Sequence, residues 1–347
     1  MFFKGQEIVS CPYLLPEEDQ ELVMNSTLVK PKKNIHIFSF LNSGEISTVK
    51  EKIIALSLFA CGVFSILVTI GIIVSLFGEA IAFFVRPEVD FWTFITGTTW
   101  RPLAKTVVPE NFGIRPLIRG TLMIALLSGM IAIPLGVGAA IFLSEYASEK
   151  LRSILKPALE ILAGIPTVVY GYFAISFITP ILKQVLEEGM GIDVSFFNAL
   201  SASIVLGVMI IPLVASISED AMRAVPRSLR EGAYALGATK FEVSTRVVVP
   251  AALSGIISSF IIGISRAFGE TMAVSIAAGS TPRMTWNPLE SVQTMTSFIV
   301  QVSFGDAPAG SINGQSIYAV GATLFVITFI MNIISAAVVK RFREAYD

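Results

Sequence analysis

Six stretches of this chain contain no Asp, Glu, Lys or Arg: Ile53 to Gly78, Gly120 to Ser144, Ile161 to Leu182, Val194 to Ser218, Val247 to Ser265 and Ala307 to Val339. Each is close to or above the roughly 20 residues a helix needs to cross the hydrocarbon of a bilayer. They are continuous apolar runs, not short alternating segments, which favours helices over a transmembrane barrel. With 54% hydrophobic and only 15% charged residues, the chain as a whole is not an ordinary soluble domain. The expected fold is an all-α membrane protein with six transmembrane helices.

Orientation follows from the basic residues, because loops retained on the cytoplasmic side keep their Lys and Arg. Six crossings put both termini on one face. If that face is cytoplasmic, 17 of the 25 Lys and Arg lie inside, seven lie outside and Arg266 is within the membrane. The loop Glu79 to Arg119 is the exception, with five positive charges on the outer side, of which Arg115 and Arg119 adjoin the second span. Residues 1–46 read as a polar cytoplasmic tail without the charged start, apolar core and cleavage site of a signal peptide. Lys30, Lys32 and Lys33 in that tail could meet anionic membrane lipid, though a solvated tail is the simpler reading. Residues 47–119 hold the first span and the long outer loop, and residues 120–347 the remaining five spans.

Several chemistries are absent. The single histidine, His36, lies in the tail, and Cys11 and Cys61 have no metal-ligand spacing. No Gly-Lys dipeptide occurs, so there is no phosphate-binding loop of the kind that holds ATP, and an ATP-driven role requires a second protein. The expectation is a transport protein that is not itself an enzyme, with no cofactor, metal or nucleic acid.

The most informative loop is residues 219–249. Pro226 suits the first turn of a helix, and Gly237 suits a left-handed stop. Thr239 with Glu242 three residues on forms a capping box, and Pro250 marks entry to the fifth span. Two short helices on the membrane surface are expected.

Glu231, Gly232, Ala233, Gly237 and Pro250 resemble, in register, the EAA motif of ABC-importer permeases. Gly232 replaces an Ala, and Val247 and Val249 replace Ile and Leu. The alternative is a plain amphipathic interfacial loop whose arginines face headgroups. The stretches "FITGTTWRPLA", "IPLGVGAAIFLSEYASEKLRSILKPALEILAGIPTVVYGYF" and "SRAFGETMAV" are similar to the phosphate-specific (PstC-type) permeases. The resemblance implies a type I ABC-importer permease (MetI/ModB-like) with a cytoplasmic coupling loop, in a bacterial or archaeal plasma membrane. It also implies a sister permease (PstA-like), a dimer of ATPase subunits (PstB-like) docking at Glu231 and Gly237, and an extracytoplasmic phosphate-binding protein (PstS-like). Another oxyanion, molybdate or sulfate, is the alternative cargo. An ion-coupled secondary transporter or channel is the alternative class, but it has no use for such a loop.

Arg266 and Glu270 sit four residues apart in an otherwise uncharged run. A lone charge at the bilayer centre costs about 2.5 to 3.5 kcal/mol, so something must offset it. On a continuous helix the two share a face and could neutralise each other. That ion pair is one expectation. The other is an anion pathway, with the Arg266 fork meeting oxyanion oxygens, Glu270 accepting the proton that hydrogen phosphate still carries, and Thr271 beside them. If the fifth span stays helical from Pro250, Arg266 stands roughly 24 Å above the loop. In the third span Gly164, Pro166 and Gly171 should bend the helix, serving either packing or the pathway. Pro134, Gly136 and Gly138 in the second span read as sites of close helix approach.

Overall fold

The computed structural model describes residues 49–102, 104, 108–305, 308 and 310–342. The tail, with His36, Cys11 and the lysine cluster, lies outside the described residues. The chain divides into two units at Val68 and Thr69. In the first, the start of helix α1 (Val49–Phe84) exposes Leu58, Phe59 and Phe64, as a helix solvated by lipid would. The rest of the fold belongs to the second unit.

All described secondary structure is helical apart from an isolated bridge between Trp100 and Phe112. After α1 come α2 (Phe91–Thr96), α3 (Arg115–Tyr146), α4 (Glu149–Ala163), α5 (Thr167–Glu188) and α6 (Ala199–Arg223). Then follow α7 (Arg227–Ala235), α8 (Lys240–Ala251), α9 (Leu253–Gly269), α10 (Met272–Ala277), α11 (Met295–Ser303) and α12 (Ile312–Phe342). Helices α1, α3, α5, α6 and α12 are long and apolar enough to span a membrane, and α8 with α9 makes a sixth span if the bent pair is counted as one. The expected six-span, all-helical architecture is the one observed.

Two spans differ from their apolar runs. The third run begins in α4, an amphipathic helix with no buried residue, and the spanning helix α5 starts only after Pro166. The fifth is not continuous. Pro250 removes a backbone donor, Ala252 leaves helical geometry at φ −88, ψ 4, and α9 departs from α8 at 71°. The expectation of a straight rise from Pro250 to Arg266 is therefore corrected.

Helix α6 is the axis of the core, packed along α3 and against α9. A Cβ on Gly136 would lie 2.8 Å from the Val214 side chain, so a side chain there would push α3 off α6, whereas Gly138 faces open space. At the end opposite the loop 224–239, Phe83, Phe94, Trp100, Phe112 and Phe298 meet edge to face. This aromatic cluster is what the sequence around Trp100 builds.

Candidate functional site

Arg266 occupies the last turn of α9, three residues before the helix stops at Gly269. Glu270 takes extended backbone at ψ 132 and its Oε1 accepts the Ala273 amide at 3.2 Å, capping α10. Thr296 donates its hydroxyl to the Glu270 carbonyl at 2.8 Å, and Thr271 donates its own to the Gly269 carbonyl at 3.1 Å. Among the described residues no ion pair joins Arg266 to Glu270. The helical spacing expected to bring them together ends one residue too early, so the carboxylate turns to a helix start instead of to Arg266. The two groups and Thr271 are neighbours in the chain around one break, each half-buried.

Arg266 opens into a cavity of about 180 Å³ between α4, α6 and α9, with Lys156, Glu160, Ser216 and Glu219 also on its walls. Glu219 is fully buried, and α4 supplies its partners: Arg152 at 2.7 Å and Lys156 at 2.8 Å. Lys156 also reaches Asp220 at 2.7 Å. Burial works to lower the Lys156 pKa, but its hydrogen bonds to Asp220 and Glu219 and their charges outweigh it, so the amine holds its proton more firmly than usual. These charges tie α4 to α6. Sequence reading missed them because they sit on separate helices, 63 and 64 residues apart for Lys156 with Glu219 and Asp220.

Gly164, Pro166 and Gly171 belong to the junction between α4 and α5. Gly164 ends α4 and Pro166 precedes α5. Tyr170 reaches back across the break to donate to the Leu162 carbonyl at 2.7 Å, satisfying one acceptor the break leaves free. A Cβ on Gly171 would lie 3.0 Å from the Ala273 carbonyl and from Ile276, so this glycine lets α5 touch α10, the helix that Glu270 caps.

The loop 224–239 folds as its turn residues dictate. Pro226 precedes α7, Gly237 ends it at φ 82, and Thr239 with Glu242 forms both bonds of the capping box. Glu231, Gly232 and Gly237 are exposed, and Ala233 is half-buried. Leu236 and Phe241 are 90% and 67% exposed. Arg230 faces inward instead, donating to the Val225 and Met222 carbonyls at 2.6 and 2.8 Å and to Glu145 at 3.1 Å. A partly apolar exposed surface thus stands on an inward arginine anchor. Pro250 is exposed, two residues before the bend.

Residues 132–344 match the family model described as "Binding-protein-dependent transport system inner membrane component". The chain belongs to that family of importer permeases. Two curated relatives agree. A "Probable ABC transporter permease protein YqgH" of Bacillus subtilis is 35% identical over 271 residues, covering 78% of this permease and 85% of the relative. A "Phosphate transport system permease protein PstC" of Mesorhizobium japonicum is 33% identical over 267 residues, covering 72% and 79%. A chain from a crystal structure of a bacterial ABC transporter involved in import of the acidic polysaccharide alginate shares the fold, with TM-score 0.60 at 15% identity, over 85% of this permease and 98% of that chain. The expected PstC-type resemblance is thus borne out by relatives that carry that name, while the structural likeness speaks only for the fold.

Proposed function

We propose that this permease carries inorganic phosphate inward across a bacterial or archaeal plasma membrane, with residues 120–347 as its core. A similar sister permease completes the pathway, two ATPase subunits drive it, and an extracytoplasmic phosphate-binding protein delivers the ion. In this reading the loop 224–239 and both termini are cytoplasmic, and the exposed face of Glu231, Gly232, Ala233 and Gly237, with Pro250 at its margin, receives the ATPase.

The observation that carries the reading is the separation of Arg266 from Glu270. An ion pair would have explained both charges by themselves. Instead Arg266 borders a small, largely apolar cavity that Lys156 and Glu219 also reach, with no ion-pair partner among the described residues, and the carboxylate sits at a helix break. A guanidinium fork suits the oxygens of a phosphate, and its charge offsets the cost of taking the anion out of water. Hydrogen phosphate still has a proton to donate to Glu270. Sulfate has none, so the carboxylate would repel it. Thr271 offers a hydroxyl beside the same break, and Gly164, Pro166 and Gly171 set the path of α5 past it.

The relatives named for phosphate transport support the choice of cargo. Uptake of radiolabelled phosphate by cells expressing the complete importer, with sulfate and molybdate as competitors, tests it. Competition by either as strong as by unlabelled phosphate would overturn the assignment.

A further inference from the structure

The loop 79–119 runs against the charge bias expected of an outer segment, and the fold accounts for only part of it. Arg86 is engaged internally, donating to Gln315 at 2.6 Å and to the Gly310 carbonyl. Arg115 and Arg119 are different. They stand one turn apart at the start of α3, and neither has a carboxylate partner among the described residues.

Arg119 lies 5.0 Å over the Trp286 ring and donates to the Met284 carbonyl at 3.2 Å. The two arginines, Ile118, Leu122, Met284 and Trp286 line an open surface cavity of about 380 Å³. Trp286 is 55% exposed. Below the cavity the same face of α3 continues through Leu126 and Met130, 53% and 73% exposed, at helical spacing from Arg115, Arg119 and Leu122.

We propose that this cavity seats the phosphate headgroup of an anionic phospholipid from the outer leaflet, with an acyl chain lying along Leu126 and Met130. The leaflet assignment rests on the orientation given under Proposed function. The argument joins three features. Guanidinium groups grip phosphate oxygens with paired donors, and stacking on Trp286 holds one of them in place without neutralising it. Tryptophan is enriched at the headgroup level of the membrane. The apolar stripe begins where the charged cavity ends, which suits a molecule with a charged head and a hydrocarbon tail. A free phosphate ion has no use for that stripe. The acidic side chain of a neighbouring protein would meet the two charges equally well, and the test separates it.

The full chain is purified in detergent and titrated with phosphatidylglycerol and, separately, with phosphatidylcholine, and retained lipids are counted by native mass spectrometry. Wild type is expected to retain one phosphatidylglycerol in preference to phosphatidylcholine. In Arg115→Gln/Arg119→Gln the affinity for phosphatidylglycerol should fall roughly 30-fold, the loss of two charges at a membrane surface. Arg119→Lys should keep most of it. If the double variant does not fold, Arg115→Gln alone carries the test, since that side chain is exposed.

Unchanged retention in these variants overturns the proposal. So does displacement of the lipid by excess inorganic phosphate, which would mark the cavity as a seat for the free ion. Loss of co-purifying protein partners with lipid retention intact would assign the arginines to a protein carboxylate instead. Labelling of Asn287→Cys in intact cells with a membrane-impermeant maleimide reports orientation independently. Failure to label would place a retained lipid in the inner leaflet, which overturns the leaflet assignment and leaves it distinct from a failure to bind.

Discussion

Arg230 Nη2 lies 3.1 Å from Glu145 Oε1, and this contact ties α7 to the π-helical last turn of α3, Phe142–Tyr146. The carboxylate is 6% exposed and the arginine side chain 16%. Because the same guanidinium also holds the carbonyls of Met222 and Val225 at the end of α6, a displacement of α7 reaches α3 and α6 together. Neither residue belongs to the surface offered to a partner.

That arrangement separates docking from transmission. Glu145→Gln and Arg230→Gln should each lower uptake at least tenfold while the ATPase subunit still co-purifies, since a charge-assisted bond is worth about 1.5 to 3 kcal/mol and the exposed face is untouched. The check is uptake beside pull-down of the complex. Loss of ATPase binding in step with uptake would show that Arg230 acts in docking after all.

Gly237 has no neighbour within 4 Å of an added Cβ, yet it adopts φ 82. Gly237→Leu is therefore strained by its backbone, not by crowding within the chain, at about 1 to 2 kcal/mol. The leucine also projects from the surface proposed to meet the ATPase. Co-purification of the ATPase, or uptake, should fall, with Gly237→Asn milder because asparagine tolerates the left-handed region. Wild-type recruitment and uptake in Gly237→Leu would remove this glycine from the interface.

Arg266→Gln and Glu270→Gln should each abolish phosphate uptake while leaving membrane abundance and ATPase docking intact. The charge-swapped Arg266→Glu/Glu270→Arg chain should stay inactive, because the two side chains face different surroundings. Recovery of uptake in the swap, with reduced abundance in both singles, would restore the ion-pair reading.

Gly171→Val tests the contact beneath the site. The added methyls would meet the Ala273 carbonyl and Ile276, pushing α10 from α5 at about 1 to 3 kcal/mol and moving the amide that Glu270 caps. Uptake should drop several-fold more than membrane abundance on quantitative blotting. An equal drop in both would assign Gly171 to packing alone.

Local signals were readable and long-range ones were not. Gly237 and the Thr239–Glu242 box depend on residues within one turn of each other, and each folds as its neighbours dictate. The number of spans depended on charge-free length, a property of each run alone. The face shared by Arg266 and Glu270 was misjudged because it assumed a helix that continues, and Gly269 is a stop that nothing in an apolar run announces. Arg230 with Glu145, and Glu219 with Arg152 and Lys156, join residues 63 or more positions apart, where spacing along the chain carries no information.

The bend at Ala252 and the stop at Gly269 together make α9 a rod jointed at both ends. Its 17 residues span about 25 Å, and Arg266 lies about 4.5 Å from the far joint. A tilt of about 10° around that joint carries the end near Ala252 through roughly 4 Å but moves the Arg266 backbone by less than about 1 Å. If α9 tilts on that joint, it would work as a reduction gear, turning a broad swing beside the surface loop into a fine adjustment where the arginine sits.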